Sequence, residues 1–196
     1  MNKLIIVESG DGLGKGTLIK GLCEHFDYKN ITVRHCDKPP RELSPSECSQ
    51  FQFECFEQEF SLVDYLNRMD RNHSYHDNIT IFDRFYPGEY VYSFMFRGGN
   101  VEDLKYRISA LEERHLTDKS DVYLVTLTAD PTFFLNQEDG QSFSKNLDEK
   151  TKELKLFKEI HEFSVIKNKL LVKVDYAGEF RYKENILHEV INFIEQ

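Results

Sequence analysis

The sequence predicts an α/β fold with a parallel sheet, and three observations support this. Short segments rich in β-branched residues alternate with segments in which apolar residues recur every three or four positions. The short segments are almost continuously apolar, which is typical of parallel strands buried on both faces. The first leads directly into a glycine-rich turn and a helical segment, the strand–turn–helix order of an α/β protein. The 196 residues suit one domain with a substantial core.

The elements follow in a regular order. Five strands are predicted, over residues 3–8, 31–36, 79–83, 122–128 and 170–175. A helix is expected over residues 17–26. Three more are indicated by amphipathic stripes, which comprise Phe53, Phe56, Phe60, Val63 and Leu66, then Leu104, Ile108 and Leu111, and finally Leu187, Val190, Ile191 and Ile194. Asp130 and Pro131 have the residue types of a helix N-cap and first turn.

The glycine-rich turn after the first strand points to a ligand. It comprises Gly10, Asp11, Gly12, Leu13, Gly14, Lys15, Gly16 and Thr17. Such a turn aims backbone N–H groups into one concavity, the helix N-terminus adds partial positive charge, and Lys15 adds a full charge. We therefore predict a cradle for nucleoside triphosphate phosphates rather than a plain strand–helix connection. The strict pattern G-x-x-x-x-G-K-[ST] is not met, because Ser9 and Gly16 stand at two of its fixed positions and the hydroxyl comes at Thr17.

The composition narrows the class of partner. A formal net charge of −9 argues against nucleic acid and against a broad surface for anionic membranes. The four cysteines form no C-x-x-C pair and no zinc-binding pattern, so reduced thiols in a cytoplasmic protein are expected. The chain starts with a strand rather than a signal segment, and no apolar run is long enough to span a bilayer. Small molecules are the expected partners.

Polar residues at the carboxyl ends of the strands are the next candidates, because ligands of parallel sheets gather there. Asp83 and Arg84 close the third strand. The carboxylate suits Mg²⁺ or a substrate hydroxyl and the guanidinium suits a phosphate, while a local ion pair is the alternative. Lys38 follows the second strand in a proline-stiffened turn and is either a cation for an acceptor phosphate or a surface lysine. Arg97 follows an aromatic segment that contains Tyr90, and it either reaches an acceptor or caps a helix.

These motifs together resemble one enzyme family. Glu8, Asp11, Gly12, Gly14, Lys15 and Thr17 at their spacing, with Asp83-Arg84-Phe85 at a strand end, resemble the thymidylate kinase family of P-loop nucleoside monophosphate kinases. Residues 83–92 look most like its small, phage-type deoxynucleotide kinase members. The resemblance in strand and motif order covers nearly the whole chain. It implies a three-layer P-loop NTPase fold in one domain, 1–196, with a five-stranded parallel sheet in the order 2-3-1-4-5.

The resemblance also implies an activity. ATP would donate its γ-phosphoryl group to a deoxynucleoside monophosphate, dTMP or a related pyrimidine nucleotide, with Mg²⁺ as cofactor and the diphosphate as product. Dimers are frequent in the family, so a homodimer is one expectation. Two other functions stay open: a P-loop kinase acting on a nucleoside or on a modified base in DNA, and a nucleotide-binding module with little catalysis.

Individual roles follow from the same resemblance. Lys15 and the amides of the turn would hold the ATP phosphates, and Thr17 would lie near the α-phosphate or the metal. Asp83 would order Mg²⁺ and the acceptor, and Arg84 would bridge the acceptor and donor phosphates. Asp11 would face the acceptor sugar.

Four further residues are candidates for the acceptor site. By the resemblance, Lys38 would replace the arginine of the family's Arg-Glu-Pro turn, and Phe60 would stack on the acceptor base unless it is a core residue. From their place in the aromatic segment, Tyr90 and Arg97 are expected to approach the acceptor, unless Arg97 only caps the helix.

A polar segment over residues 136–147 is expected to form a mobile lid. The family places arginines either in the glycine-rich turn or in this lid, whereas the chain has Leu13 in the turn and Lys145 as the lid's one cation. Lys145, Arg97, Arg107 or Arg114 would have to substitute for the arginine. The remaining charged stretches, residues 112–114 and 150–158, are interpreted as solvated helix faces, and His115 as a packed histidine.

Overall fold

The fold is built on one sheet of five parallel strands. The computed structural model describes residues 2–27, 29–36, 39–40, 42–70, 78–117, 119, 121–138, 140 and 142–196. The strands are β1 (Lys3–Glu8), β2 (Asn30–Arg34), β3 (Asn78–Asp83), β4 (Val122–Thr128) and β5 (Asn168–Lys173). Their order is β2-β3-β1-β4-β5, which confirms the predicted sheet. A two-stranded hairpin, β6 (Asp175–Tyr176) and β7 (Glu179–Phe180), follows β5.

Seven helices are found in the described part of the chain. They are α1 (Lys15–His25), α2 (Pro45–Asp70), α3 (Tyr86–Phe96), α4 (Val101–His115), α5 (Pro131–Asn136), α6 (Leu147–Phe163) and α7 (Lys183–Glu195). Asp130 caps α5, where its carboxylate accepts hydrogen bonds from the amides of Thr132 and Phe133, as its position before Pro131 predicts. None of these helices combines the length and apolarity that crossing a bilayer requires.

The sheet separates two hydrophobic cores. Side chains alternate along β1, so Ile5 and Val7 join one core while Leu4 and Ile6 join the other. The first core includes residues of α1 and α7, and the second includes residues of α2, α3 and α4. With both faces covered, β1 is buried from Leu4 to Glu8, which explains its continuous apolar sequence.

The two charged stretches are exposed at most of their charged residues, as the sequence indicates, but each contains a charge that is buried. Glu112 on α4 is fully buried and accepts hydrogen bonds from the Ser164 hydroxyl at 2.6 Å and the Val165 amide at 2.8 Å. Lys150 on α6 is also fully buried, with its ammonium 2.9 Å from the Glu138 carboxylate. The interpretation is wrong at both positions, because each charge meets a partner that helical periodicity does not reveal.

Candidate active site

The glycine-rich turn has the backbone that a phosphate cradle requires. β1 ends at Glu8 and α1 begins at Lys15, with Gly14 as its N-cap residue. Gly12 and Gly14 have φ angles of 86° and 84°, a region in which side chains with a Cβ are strained. At Gly10 a Cβ would come within 2.3 Å of the Phe134 ring. The predicted strand–turn–helix unit is confirmed, and phosphate binding by it stays a prediction.

Two ion pairs join this turn to the Asp83-Arg84 turn at the end of β3. Lys15 pairs with Asp83, and Arg84 pairs with Asp11. His35, just after β2, places its Nδ1 3.3 Å from the second oxygen of Asp83. The pairing of β1 with β3, in which Val7 lies opposite Asp83, brings the two turns side by side. Four of the predicted site residues therefore meet at one edge of the sheet.

Arg84 lies in an unusual backbone conformation. Its φ angle is 65°, in the left-handed region that residues other than glycine rarely adopt. Its amide donates to the Val7 carbonyl at 3.2 Å, and its guanidinium carbon lies 5.9 Å from the centroid of the Tyr92 ring. Strained backbone of this kind persists only where its surroundings fix it, and it is common at functional sites.

Glu8 belongs to the site although no role was predicted for it. This last residue of β1 is fully buried, and one of its oxygens accepts hydrogen bonds from the amides of Phe85, at 2.6 Å, and Gly88, at 3.3 Å. Burial raises the pKa of Glu8 to about 7, although the Phe85 amide and the charges of Lys15 and Arg84 oppose the shift. The sequence feature that could have indicated this role is the position of Glu8 at the end of an otherwise apolar buried strand.

Lys15 is also affected by its surroundings. Burial lowers the pKa of its ammonium, and the charge of Glu8 partly offsets that effect. Among the described residues, the cleft between the glycine-rich turn and the Asp83-Arg84 turn contains the cations Lys15 and Arg84, each paired with a carboxylate of the protein.

Two of the predicted acceptor contacts are wrong in this structure. Phe60 is fully buried, with its ring 4.8 Å from the His115 ring and 4.9 Å from the Phe85 ring, so it is the core residue left open as the alternative. Tyr90 is fully buried too, and its hydroxyl donates to Glu159 on α6 at 2.7 Å. Both aromatic side chains belong to the core in which residues of α2, α3, α4 and α6 pack together, Phe60 from α2 and Tyr90 from α3. Lys38 lies outside the described residues.

The arginines proposed to replace a lid arginine have other partners. Arg97, the C-cap residue of α3, pairs with the buried carboxylate of Glu89. Arg107 donates to the Ser49 hydroxyl at 3.0 Å and lies 4.0 Å from the centroid of the Phe53 ring. A third, Arg114, pairs with Glu57 at 2.5 Å. In this conformation Arg97 pairs within α3, while Arg107 and Arg114 join α4 to α2.

The described part of the lid segment (residues 136–147) is also held by internal contacts. The Lys145 ammonium donates to the Gly140 carbonyl at 2.7 Å and lies 3.4 Å from Glu138. Phe143 packs on α3, with ring centroids 5.4 Å from Phe96. The segment therefore connects α3 with α6, and its mobility and the phosphate contact of Lys145 stay predictions.

The site offers oxygen ligands for a metal. Asp83 supplies a carboxylate at the strand end, and Thr17 supplies an exposed hydroxyl in the first turn of α1. Within the described ranges no three His, Cys, Asp or Glu side chains are grouped closely enough to bind a metal by themselves. Because Mg²⁺ usually takes one or two carboxylates together with substrate phosphates and water, the residues present fit this ion when a nucleotide is bound.

A cavity of about 610 Å³ lies beside the turn. Its walls come from α1, the β6–β7 hairpin and α7, and they include Gly14, Thr17, Val174, Phe180 and Arg181. The cavity is mostly apolar with a few polar groups, the composition that is common in small-molecule sites.

Comparisons with known proteins show the fold. No family model matches the chain, and no curated protein matches it in sequence. The crystal structure of the YorR protein from Bacillus subtilis in complex with phosphorylated GDP is similar, with 18% identity, coverage of 98% of this chain and 96% of that chain, and a TM-score of 0.63. Thymidylate kinase from Candida albicans is similar at 15% identity, 99% and 91% coverage, and a TM-score of 0.64. The chain thus has a thymidylate kinase-like fold, as predicted.

Proposed function

We propose that the protein is a nucleoside monophosphate kinase that transfers the γ-phosphoryl group of ATP to a deoxynucleoside monophosphate. The observation that carries this proposal is the pairing of Lys15 with Asp83 and of Arg84 with Asp11, which joins a phosphate cradle to a second anion-binding turn. The similar proteins from B. subtilis and C. albicans are described as a complex with phosphorylated GDP and as a thymidylate kinase, and both agree with nucleotide chemistry. A pyrimidine acceptor, dTMP above all, rests on the thymidylate kinase resemblance.

The donor would lie across the N-terminus of α1. The amides of residues 10–17 and Lys15 would bind its β- and γ-phosphates, because a helix N-terminus and an ammonium both favour anions. Its nucleoside would occupy the cavity beside Gly14 and Thr17.

Binding of the triphosphate would rearrange the two ion pairs. The polyphosphate carries more negative charge than one carboxylate, so Lys15 would turn from Asp83 to the phosphates. Arg84 would turn from Asp11 to bridge donor and acceptor, since a guanidinium binds phosphate oxygens in a bidentate manner. Asp83 would then be free for Mg²⁺, and Asp11 for a hydroxyl of the acceptor sugar.

Catalysis would consist of positioning and charge neutralisation. Holding the acceptor phosphate in line with the γ-phosphorus supplies about 7–11 kcal/mol of the barrier in well-oriented reactions. Arg84 and Lys15 would stabilise the charge on the transferring group. Asp83 and Thr17 would hold Mg²⁺ together with the phosphates, and the ion would supply positive charge to the reaction. The lid segment would exclude water, which otherwise hydrolyses ATP.

A weakly catalytic nucleotide-binding module is the second candidate. Arg97, Arg107 and Arg114 all have partners outside the cleft, and Lys145 is bound within its own segment. Without a cation near the leaving β-phosphate of ATP, phosphoryl transfer would be slow even though nucleotides bind. A kinase that acts on DNA has less support, because the net charge of −9 disfavours a DNA-binding surface.

A coupled ADP-release assay with Mg²⁺-ATP tests the proposal. The acceptor panel would contain the four deoxynucleoside monophosphates, their nucleosides and single-stranded DNA. We expect acceptor-dependent ADP release that is highest with dTMP or another pyrimidine monophosphate. Saturable ATP binding without acceptor-dependent release would support the nucleotide-binding module instead.

Location and assembly belong to the same proposal. The four cysteines are free, which agrees with a reducing cytoplasmic location. Pairing of two chains stays a prediction.

A further inference from the structure

The buried carboxylate at the end of β1 has no part in the proposed transfer. Glu8 is fully buried, and its Oε1 accepts both the Phe85 amide at 2.6 Å and the Gly88 amide at 3.3 Å. Its Oε2 has no hydrogen-bond partner within the described residues. The charged side chains whose fields reach it are Lys15 on α1 and Arg84 after β3. Burial of a carboxylate costs folding free energy unless hydrogen bonds or opposite charges compensate for the lost water. The contacts of Glu8 therefore indicate what its burial contributes.

The two amides that donate hydrogen bonds to Glu8 belong to the start of α3. Phe85 is the N-cap residue of this helix and Gly88 is its third residue, so neither N–H group has an acceptor four residues earlier within the helix. The Gly88 amide shares its hydrogen bond between Glu8 and the Phe85 carbonyl, at 3.1 Å, whereas the Phe85 amide has Glu8 as its acceptor. The side chain of Phe85 is apolar and cannot cap the helix. Glu8 therefore supplies from β1 the cap and the negative charge that α3 lacks in its own sequence.

The same contacts fix the backbone on both sides of Arg84. The Arg84 amide is held by the Val7 carbonyl at 3.2 Å, and the next amide, of Phe85, is held by Glu8. Between these two bonds Arg84 keeps its left-handed φ of 65°. Loss of the Glu8 carboxylate would allow the residue to relax, and the guanidinium would leave the position in which it faces Asp11.

We propose that Glu8 is a positioning residue, which holds the Asp83-Arg84 turn and thereby aims Arg84 at the phosphates. This inference rests on the proposed kinase function. Glu8 touches neither nucleotide; it acts through the Phe85 and Gly88 amides. Its substitution should affect the step that needs Arg84, with much less effect on the affinity for ATP, which depends on Lys15 and the amides of the glycine-rich turn.

A double-mutant cycle between Glu8 and Arg84 tests this directly. In the 196-residue chain, Glu8→Ala should lower kcat about 10²-fold, the size of effect that a displacement of about 1 Å produces, with little change in KM for ATP. In an Arg84→Ala background the same substitution should cause almost no further loss, because its effect is transmitted by the missing guanidinium. Glu8→Gln, which keeps one oxygen for both amides, should recover most of the kcat. Additive losses in the cycle would overturn the proposal.

Glu112 provides a matched control. It is also a fully buried glutamate that accepts a backbone amide, that of Val165, and it binds the hydroxyl of Tyr86 on α3. Glu112→Ala should lower Tm at least as much as Glu8→Ala while leaving kcat near that of the wild type. Equal losses of kcat in the two variants at equal Tm would mean that Glu8 only stabilises the fold.

A crystal structure of Glu8→Gln and, if it folds, of Glu8→Ala separates this inference from the proposed function. The Ala variant should show Arg84 out of its left-handed conformation and out of contact with Asp11, whether or not any acceptor is phosphorylated; the Gln variant should keep both. An unchanged Arg84 turn in Glu8→Ala would overturn the positioning role. If Glu8→Ala is insoluble, the structure of Glu8→Leu replaces it. This variant should also lose the Arg84–Asp11 contact, and an unchanged Arg84 turn would again overturn the positioning role.

Discussion

At the scale of single residues, the cleft is a set of cations already matched by carboxylates. Lys15 faces Asp83, and Arg84 faces Asp11. Such pairs keep two partly buried cations in place before a ligand arrives, and they leave each cation with an anion to exchange for a phosphate. The cations and the carboxylates should therefore respond differently to substitution.

Removal of the Lys15 ammonium should abolish turnover. Lys15→Ala takes away the full charge at the cradle, and we expect kcat/KM to fall by about 10²–10³-fold or more, as when one stabilising group is lost from a transition state. The fold should remain, since Lys15 is the first residue of α1 and its side chain contacts the site rather than the hydrophobic core. ADP release together with thermal unfolding measures both. Unchanged turnover would remove Lys15 from the mechanism.

Asp83→Asn should affect rate more than binding. The amide cannot supply a charged oxygen to Mg²⁺, so kcat should fall by about 10²-fold, comparable to the loss of one electrostatic contact in a transition state. The affinity for ATP should be kept or slightly increased, because Lys15 loses its internal partner. Single-turnover kinetics and ATP titration separate the two effects, and a wild-type rate would take Asp83 off the catalytic list.

Glu89 should make stability depend on pH. Burial raises the pKa of Glu89 from 4.5 to about 7, although Arg97 opposes the shift. Because the unfolded chain releases this proton at a lower pH than the native protein, the contribution of Glu89 is fully present below pH 4.5 and is lost as pH rises through about 7, by about 3 kcal/mol in total. Urea unfolding at pH 5 and pH 8 gives the free energy of unfolding of the wild type and of Glu89→Gln. From pH 5 to pH 8 this free energy should decrease less in the variant than in the wild type. Equal decreases in the two proteins would contradict the prediction.

At the scale of elements, α6 anchors the lid segment by a buried ion pair. The Lys150 ammonium lies 2.9 Å from Glu138 and 3.9 Å from the centroid of the Phe134 ring, which itself packs against Gly10. One contact thus links the lid segment, α5, α6 and the glycine-rich turn. This connection would transmit the position of the lid to the phosphate cradle.

Lys150→Met should destabilise the protein by about 1–3 kcal/mol, because Glu138 loses the buried ammonium at 2.9 Å and keeps only the more distant Lys145 as a cation. The double variant Lys150→Met/Glu138→Gln should recover a large part of that loss, since no unpaired charge remains. Urea denaturation gives both values. A single variant as stable as the wild type would show that the ion pair contributes nothing to folding.

The sequence predicts the elements well where one chain segment contains the whole signal. All five main strands lie within two residues of their predicted starts, and the Asp130 cap begins α5 as expected. The glycine-rich turn and the Asp83-Arg84 turn were identified because both follow apolar strands. The β6–β7 hairpin was missed because its strands have only two residues each.

The contacts of the site were harder to predict, for a physical reason. Glu8 meets amides 77 and 80 residues later in the chain, and Glu112 meets groups more than 50 residues away. Neither local spacing nor amphipathicity contains information on such partners. Phe60 and Tyr90 are candidates for acceptor binding from the sequence, but both are fully buried. Phe60 lies on the apolar stripe of α2 and Tyr90 on the buried α3, so packing in the core determines where these side chains lie.

At the scale of the whole molecule, the strand order assembles the site. β1 lies between β3 and β4, so the glycine-rich turn at its end is next to the Asp83-Arg84 turn on one side. The carboxyl ends of parallel strands share one edge, which is where ligands of such sheets bind. The fold likeness to thymidylate kinase and YorR extends over at least 98% of this chain, so the arrangement belongs to the whole molecule rather than to one motif.

Calorimetric titration of the protein with ATP and GTP, with Mg²⁺ present, tests the central claim that the glycine-rich turn binds a polyphosphate. We expect a saturable heat of binding for the wild type and a decrease in affinity of about tenfold or more for Lys15→Ala, which corresponds to about 1.4 kcal/mol. No heat with any adenine or guanine triphosphate, under conditions in which the protein is folded, would contradict the account.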